Sequence, residues 1–132
     1  MKSLIKNLIT GILVVFSLSL SAQPQQGLRT FDLRDVKLLN GIFKDAQETD
    51  LRYMKQLVPD RLLAPYLREA GLRPKAASYT NWENTGLDGH IGGHYLSALA
   101  MMYASTGDKD LLARLNYMSS ELKECQDKNK NG

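Results

Sequence analysis

Two histidines, two carboxylates and the chain's single tryptophan crowd between positions 82 and 94: Trp82, Glu83, Asp88, His90 and His94. Each type has a chemistry. His90 and His94 are four apart, so on a helix both imidazoles project from one face. Three readings of that pair stand side by side. It is half of a zinc site, as in His-Glu-x-x-His proteases, although Ile91 holds the place of the general-base glutamate and no third ligand is evident. It is a structural pair bonded to backbone at a helix start. Or it lines a ligand pocket. Glu83 and Asp88 flank a glycine-rich turn, and paired carboxylates are what glycoside cleavage requires. Asp88 also suits a helix N-cap. Trp82, beside Asn81 and Glu83 in a loop, suits a sugar: an indole stacks on C–H groups while polar neighbours take hydroxyls.

These residues need elements to hold them. "GLDGHIGGHYLSALAMMYASTGD" (86–108) opens with Gly86, Gly89, Gly92 and Gly93 and then turns apolar. Glycines inside a helix cost roughly 1 kcal/mol each relative to alanine. Close approach of a neighbouring backbone or of a ligand would offset that cost. The spacing predicts a helix from about 88 to 105, with Ile91, Tyr95, Ala98, Leu99, Met102 and Tyr103 buried. Leu96, Ala100 and Met101 leave almost no polar side, so a helix here expects cover from a larger body. Gly107 stops it, and Asp108 caps a last helix over about 109–127. That helix carries the stripe Leu111, Leu112, Leu115, Met118, Leu122 and Cys125, with Arg114, Glu121, Lys123 and Glu124 toward water. So short a link between two helices means an antiparallel hairpin.

Upstream, residues 31–39 read as a short extended segment and Asn40-Gly41 as a turn. Residues 42–57 read as a helix with Phe43, Ala46, Asp50, Tyr53, Met54 and Leu57 on one face. Pro59 opens a second helical stretch, broken at Pro65 and closed at Gly71. Residues 73–89 form a long polar loop, a type that often carries function.

Length and charge bound the whole. The chain has 132 residues and a net charge of +3. Lys2 and Lys6 precede an apolar run over 8–20 that is too short for a confident membrane span. It is followed by small residues and Pro24, the pattern of a secretory signal peptide over 1–22. Removing it leaves no membrane segment and 15 basic against 14 acidic residues. Nucleic acid is therefore a poor partner. The product is expected to be exported, to the periplasm or beyond. The lone Cys125 makes no internal disulfide and reads as buried filler.

Three stretches, "LRDVKLLNGIFKDAQETDLRYMKQLVPDRLLAPYLREAGL", "YTNWENTGLDGHIGGHYLSALAMMYASTGD" and "LNYMSSELKECQ", occur in the order of, and resemble, the N-terminal part of the beta-L-arabinofuranosidase glycoside hydrolases, family 127 and its neighbour 146. The resemblance implies an all-α fold, the N-terminal part of an (α/α)6 barrel. It also implies cleavage of L-arabinofuranosyl units from plant glycans. In the complete family enzyme it implies a cysteine nucleophile, a zinc ion held by cysteines and a glutamate, and a glutamate acid/base. The motifs that supply these are expected beyond Gly132. No catalytic residue, metal ligand or cofactor is therefore carried onto this chain, Cys125 included. What carries over is that Trp82, Glu83, Asp88, His90 and His94 shape the substrate end. On this reading residues 23–132 are an incomplete piece of a catalytic domain, inactive alone. The alternative is a small secreted helical module that binds a carbohydrate or protein partner without catalysis.

Overall fold

The computed structural model describes residues 27–130, and the proposed leader lies outside them. Residues 27–30 are exposed and belong to a separate unit from the body that begins at Phe31. Among the described residues the secondary structure is all helical: α1 (Ile42–Gln56), α2 (Pro59–Glu69), α3 (His90–Thr106) and α4 (Lys109–Asn129), with short 3-10 turns at Leu33–Asp35 and Asn81–Asn84. No described helix is long and apolar enough to cross a membrane.

The hairpin of α3 and α4 is the spine. Gly107 ends α3 in a left-handed conformation, its N–H donating to the Tyr103 carbonyl. Asp108 then caps α4 by accepting from the backbone of Asp110 and Leu111. Against this hairpin lies α2, and Leu62, Leu63, Leu99, Leu111 and Met118 are sealed from solvent where the three meet. Each such side chain contributes about 1.5–3 kcal/mol of burial free energy. Cys125 closes the far end of that core, buried as its stripe implied. Burial pushes its thiol pKa up, the opposite of what an activated nucleophile needs.

Four sequence expectations change. First, α2 is not broken at Pro65. The proline has no N–H to donate within the helix, but its ring is buried in the core, which offsets that loss. The helix ends two residues before Gly71 with a paired closure: Gly71 N–H donates to Arg68 O and Leu72 N–H to Leu67 O.

Second, Arg114 does not face water. Its guanidinium reaches the carbonyls of Leu57 at 2.7 Å and Lys55 at 2.9 Å, while Tyr95 Oη donates to Met54 O at 2.8 Å. The last carbonyls of a helix lack intrahelical donors, and α1 has its own satisfied by side chains of its neighbours. Third, Glu121 is only 9% exposed and pairs with Lys75 Nζ at 2.6 Å, fastening the 73–80 loop to α4.

Fourth, residues 31–39 are not extended throughout: Asp32 accepts from Arg34 N–H and Leu33–Asp35 close into a 3-10 turn. The apolar face of α1 is mostly uncovered. Met54 is buried, but Phe43 is 73% exposed and Tyr53 also lies open. Opposite, on α3, Met101 is 60% exposed, while Leu96 packs half-buried against the core. Between the two helices runs an apolar groove of about 720 Å³, lined by Phe43, Ala46, Met54, Ala98, Met101 and Met102. The segment before α1 lines part of this groove through Leu33, Val36 and Leu38, which remain partly exposed.

Candidate functional site

The 73–89 loop is pinned largely by cationic side chains. Arg61 stacks over the Tyr79 ring at 3.9 Å and donates to the carbonyls of Ala77 and Ser78. The Tyr79 hydroxyl accepts from Val58 N–H, at the start of α2. Arg68 holds Asp88 at 2.8 Å. So anchored, the loop carries the Asn81–Asn84 turn to the N-terminus of α3. Asn81 is left-handed there, with φ 62°, a conformation asparagine adopts more readily than most residues. Thr85 Oγ1 donates to its carbonyl at 2.9 Å, which holds the turn.

Glu83 is 1% exposed and points inward. Its carboxylate accepts from Gly89 N–H at 3.1 Å and from Ile91 N–H at 2.7 Å. The N-cap residue of α3 is Gly89, which has no side chain to offer, so the cap comes from six residues upstream. Asp88 is not the cap. It is bound to Arg68 and, more weakly, to Gly86 N–H at 3.3 Å. The two carboxylates are thus each committed to a structural partner. They do not form the free acid/base pair that their positions beside the turn suggested.

Tyr66 of α2 explains the glycines. Its hydroxyl donates to the Gly89 carbonyl, and its ring lies against Gly89 and Gly92. A β-carbon on Gly92 would meet Tyr66 Cε2 at 2.9 Å and the Leu62 carbonyl at 3.2 Å. Gly89 is left-handed as well, with φ 90°. The neighbour that needs the close approach is therefore protein. At Gly93 the nearest atom to a β-carbon would be Tyr66 Oη at 3.9 Å, which demands nothing. Burial raises the Tyr66 phenol above its ordinary range, with the Glu83 carboxylate adding to the effect, so it remains a donor.

With the carboxylates turned inward, the rings face out. Trp82 is 58% exposed, and His90 and His94 are exposed on the first turns of α3. Trp82 and His90 have ring centroids 5.7 Å apart, tilted by 60°, and His94 meets His90 edge-on at 4.6 Å. Among the described residues neither imidazole has a hydrogen-bond partner, so the pair is not tied to the helix backbone. Beside this shelf opens a cleft of about 690 Å³, lined by Tyr53, Tyr79, Asn81, Trp82, Thr85 and Ile91, with Glu83 in its wall. Aromatic walls with a few amides and hydroxyls are what a sugar ring needs. Tyr53, Tyr66 and Tyr79 were not among the sequence candidates. The signal for Tyr79 is an aromatic in the "YTNW" loop and for Tyr53 a place on one face of the 42–57 helix; no pattern singles out Tyr66.

Residues 35–132, well over half of the chain, match the family model described as "Beta-L-arabinofuranosidase, GH127 catalytic domain". The chain belongs to the GH127 beta-L-arabinofuranosidase family. No curated protein matches it. The GH127 match takes in all four helices and every residue of the shelf and cleft, so the helices are part of an α/α barrel. The residues described do not fit the zinc centre that the family resemblance implied for the complete enzyme. Among them no three His, Cys, Asp or Glu side chains are placed to hold a metal ion. Cys125 is buried in α4, and Glu83 and Asp88 are engaged by backbone amides and Arg68.

Proposed function

We propose that this chain supplies part of the substrate end of an exported glycoside hydrolase acting on L-arabinofuranosyl units of plant glycans. The outward shelf of Trp82, His90 and His94 beside the tyrosine-lined cleft, within the family-matched segment, carries this reading. Trp82 offers a stacking face for a furanose, and the unbonded imidazoles offer donors and acceptors for its hydroxyls. Glu83 and Asp88 support the shelf from behind. On this reading the reactive groups belong to parts of the barrel other than these four helices, and the chain alone is expected to bind sugar without cleaving it.

The uncovered groove between α1 and α3 supports the same reading. Apolar surface of this extent expects other helices of a barrel against it. Export rests on the apolar run at 8–20. The test is an assay of the purified chain on an aryl beta-L-arabinofuranoside, with and without zinc. No turnover in either condition is expected, and clear turnover would overturn the assignment of the chemistry to other parts of the barrel.

A further inference from the structure

We infer that Glu83 is the positioning residue of this site: it sets Trp82 and His90 against each other by clamping the N-terminus of α3, without itself touching sugar. The inference rests on the proposed reading of the ring shelf as a sugar site.

A helix N-terminus presents backbone N–H groups that lack partners within the helix. In α3 the capping position is a glycine, so no local side chain serves them. Glu83 takes two of them, one on each oxygen, and its negative charge meets the positive end of the helix dipole. His90 lies between Gly89 and Ile91, the two residues whose amides are bound. Trp82 precedes Glu83 in the chain. One carboxylate therefore ties together the backbones that carry both rings.

Among the described residues no other side chain hydrogen-bonds the Asn81–Asn84 turn to α3. Thr85 closes onto Asn81 within the loop itself, and Arg68 reaches Ser78 and Asp88, which lie in neither the turn nor α3. Without Glu83 no side-chain hydrogen bond among the described residues would tie the turn that carries Trp82 to the helix that carries His90. With both oxygens engaged and the side chain shut away from solvent, Glu83 is poorly placed to exchange a proton with a ligand or to bond its hydroxyls. Its influence on sugar passes through the rings it holds.

The full chain contains its own reporters. Trp82 is the only tryptophan, so intrinsic emission reads the shelf, and Cys125 is the only cysteine, buried in α4, so its protection from a thiol reagent reads the body. Methyl beta-L-arabinofuranoside is titrated against the full chain while Trp82 emission is followed. Glu83→Ala is expected to weaken binding by about tenfold or more. In the absence of sugar it should shift Trp82 emission to longer wavelength and open it to iodide quenching, with Cys125 still protected. Glu83→Gln keeps an acceptor for one of the two amides and should recover most of both signals. If Glu83→Ala exposes Cys125, Glu83→Gln decides: a partial emission shift with weakened binding supports positioning. Binding and emission unchanged from the parent in the folded variants would overturn the inference. If the parent chain itself shows no response to the sugar, the sugar-site reading fails. The positioning role is then decided by the ligand-free emission, which must change in Glu83→Ala for it to stand.

Discussion

The ring of Tyr66 occupies the space that a side chain at position 92 would need. A β-carbon there would fall 2.9 Å from Cε2 of that ring and 3.2 Å from the Leu62 carbonyl behind it. The ring can tilt, but the carbonyl belongs to α2 and cannot leave without moving the helix. Gly92→Ala should therefore destabilise by about 1–3 kcal/mol, in spite of alanine's better helix propensity. Gly93→Ala, one residue on and free of crowding, should instead stabilise by up to about 1 kcal/mol. Urea melts of the two variants beside the parent check the opposite signs.

Lys75 and Glu121 should show the cost of an unbalanced buried carboxylate. Glu121 Oε1 is bound by Lys75, but Oε2 is buried with no partner among the described residues. Lys75 is itself about half exposed, which weakens the pair relative to a fully buried one. Lys75→Met should destabilise the fold by leaving the Glu121 carboxylate unpaired, and Glu121→Gln in that background should restore part of the loss. A double-mutant cycle measured by denaturant melts gives the coupling, and additive losses would refute this account.

Stability should fall on the alkaline side. Burial raises the pKa of Cys125, Tyr66, Tyr95 and Tyr117 above their ordinary values of 9.0 for the thiol and 10.0 for the phenols. The unfolded chain therefore releases these protons first, and binds fewer protons than the folded one once the pH passes those ordinary values. By linkage the free energy of unfolding then declines with rising pH. Lys75 and Lys55 act in the same direction: ion pairing raises their pKa values, and the stability they add is lost as they deprotonate. The melting temperature should hold near neutral pH and drop from about pH 9 upward. Tyr66→Phe should flatten the part of that slope above about pH 10, which thermal scans in a buffer series would show.

The groove between α1 and α3 should make the isolated chain self-associate. Phe43 and Met101 stand open on its two sides. Phe43→Lys and Met101→Lys together should raise the monomer fraction in light scattering at little cost in stability, because exposed positions rarely contribute more than about 0.5 kcal/mol. A parent chain that is already monodisperse and melts in one cooperative step would favour the small secreted module instead.

Much of the scaffold was legible because helical punctuation is local. Gly107, Asp108 and the Leu111-to-Cys125 stripe each act within a turn of their own position, and the hairpin follows from them. The site was only half legible. Trp82, Glu83, Asp88, His90 and His94 do gather around one helix end, but their division of labour reverses the sequence expectation for the carboxylates. Glu83 reaches forward six and eight residues through a turn whose geometry depends on a left-handed Asn81, and no periodicity reports that. Arg114 and Glu121 looked solvated because a charged side chain on an amphipathic helix is by default assigned to water. Their partners, the end of α1 and Lys75, are distant in sequence. On α1 the pattern identified the apolar face correctly and could not say what would lie against it.

The mooring of α1 gives the molecule a direction. Arg114, Tyr95 and the Lys55–Asp108 pair all grip the helix between positions 54 and 57, whereas among the described residues its first half is joined to another helix by one side-chain hydrogen bond, Gln47 to Ser105 at 3.3 Å. Warming should unravel this rod from Ile42 inward, like a rope made fast at one cleat. The helix is thus built to be completed from its loose end, where whatever settles into the groove would finish the knot.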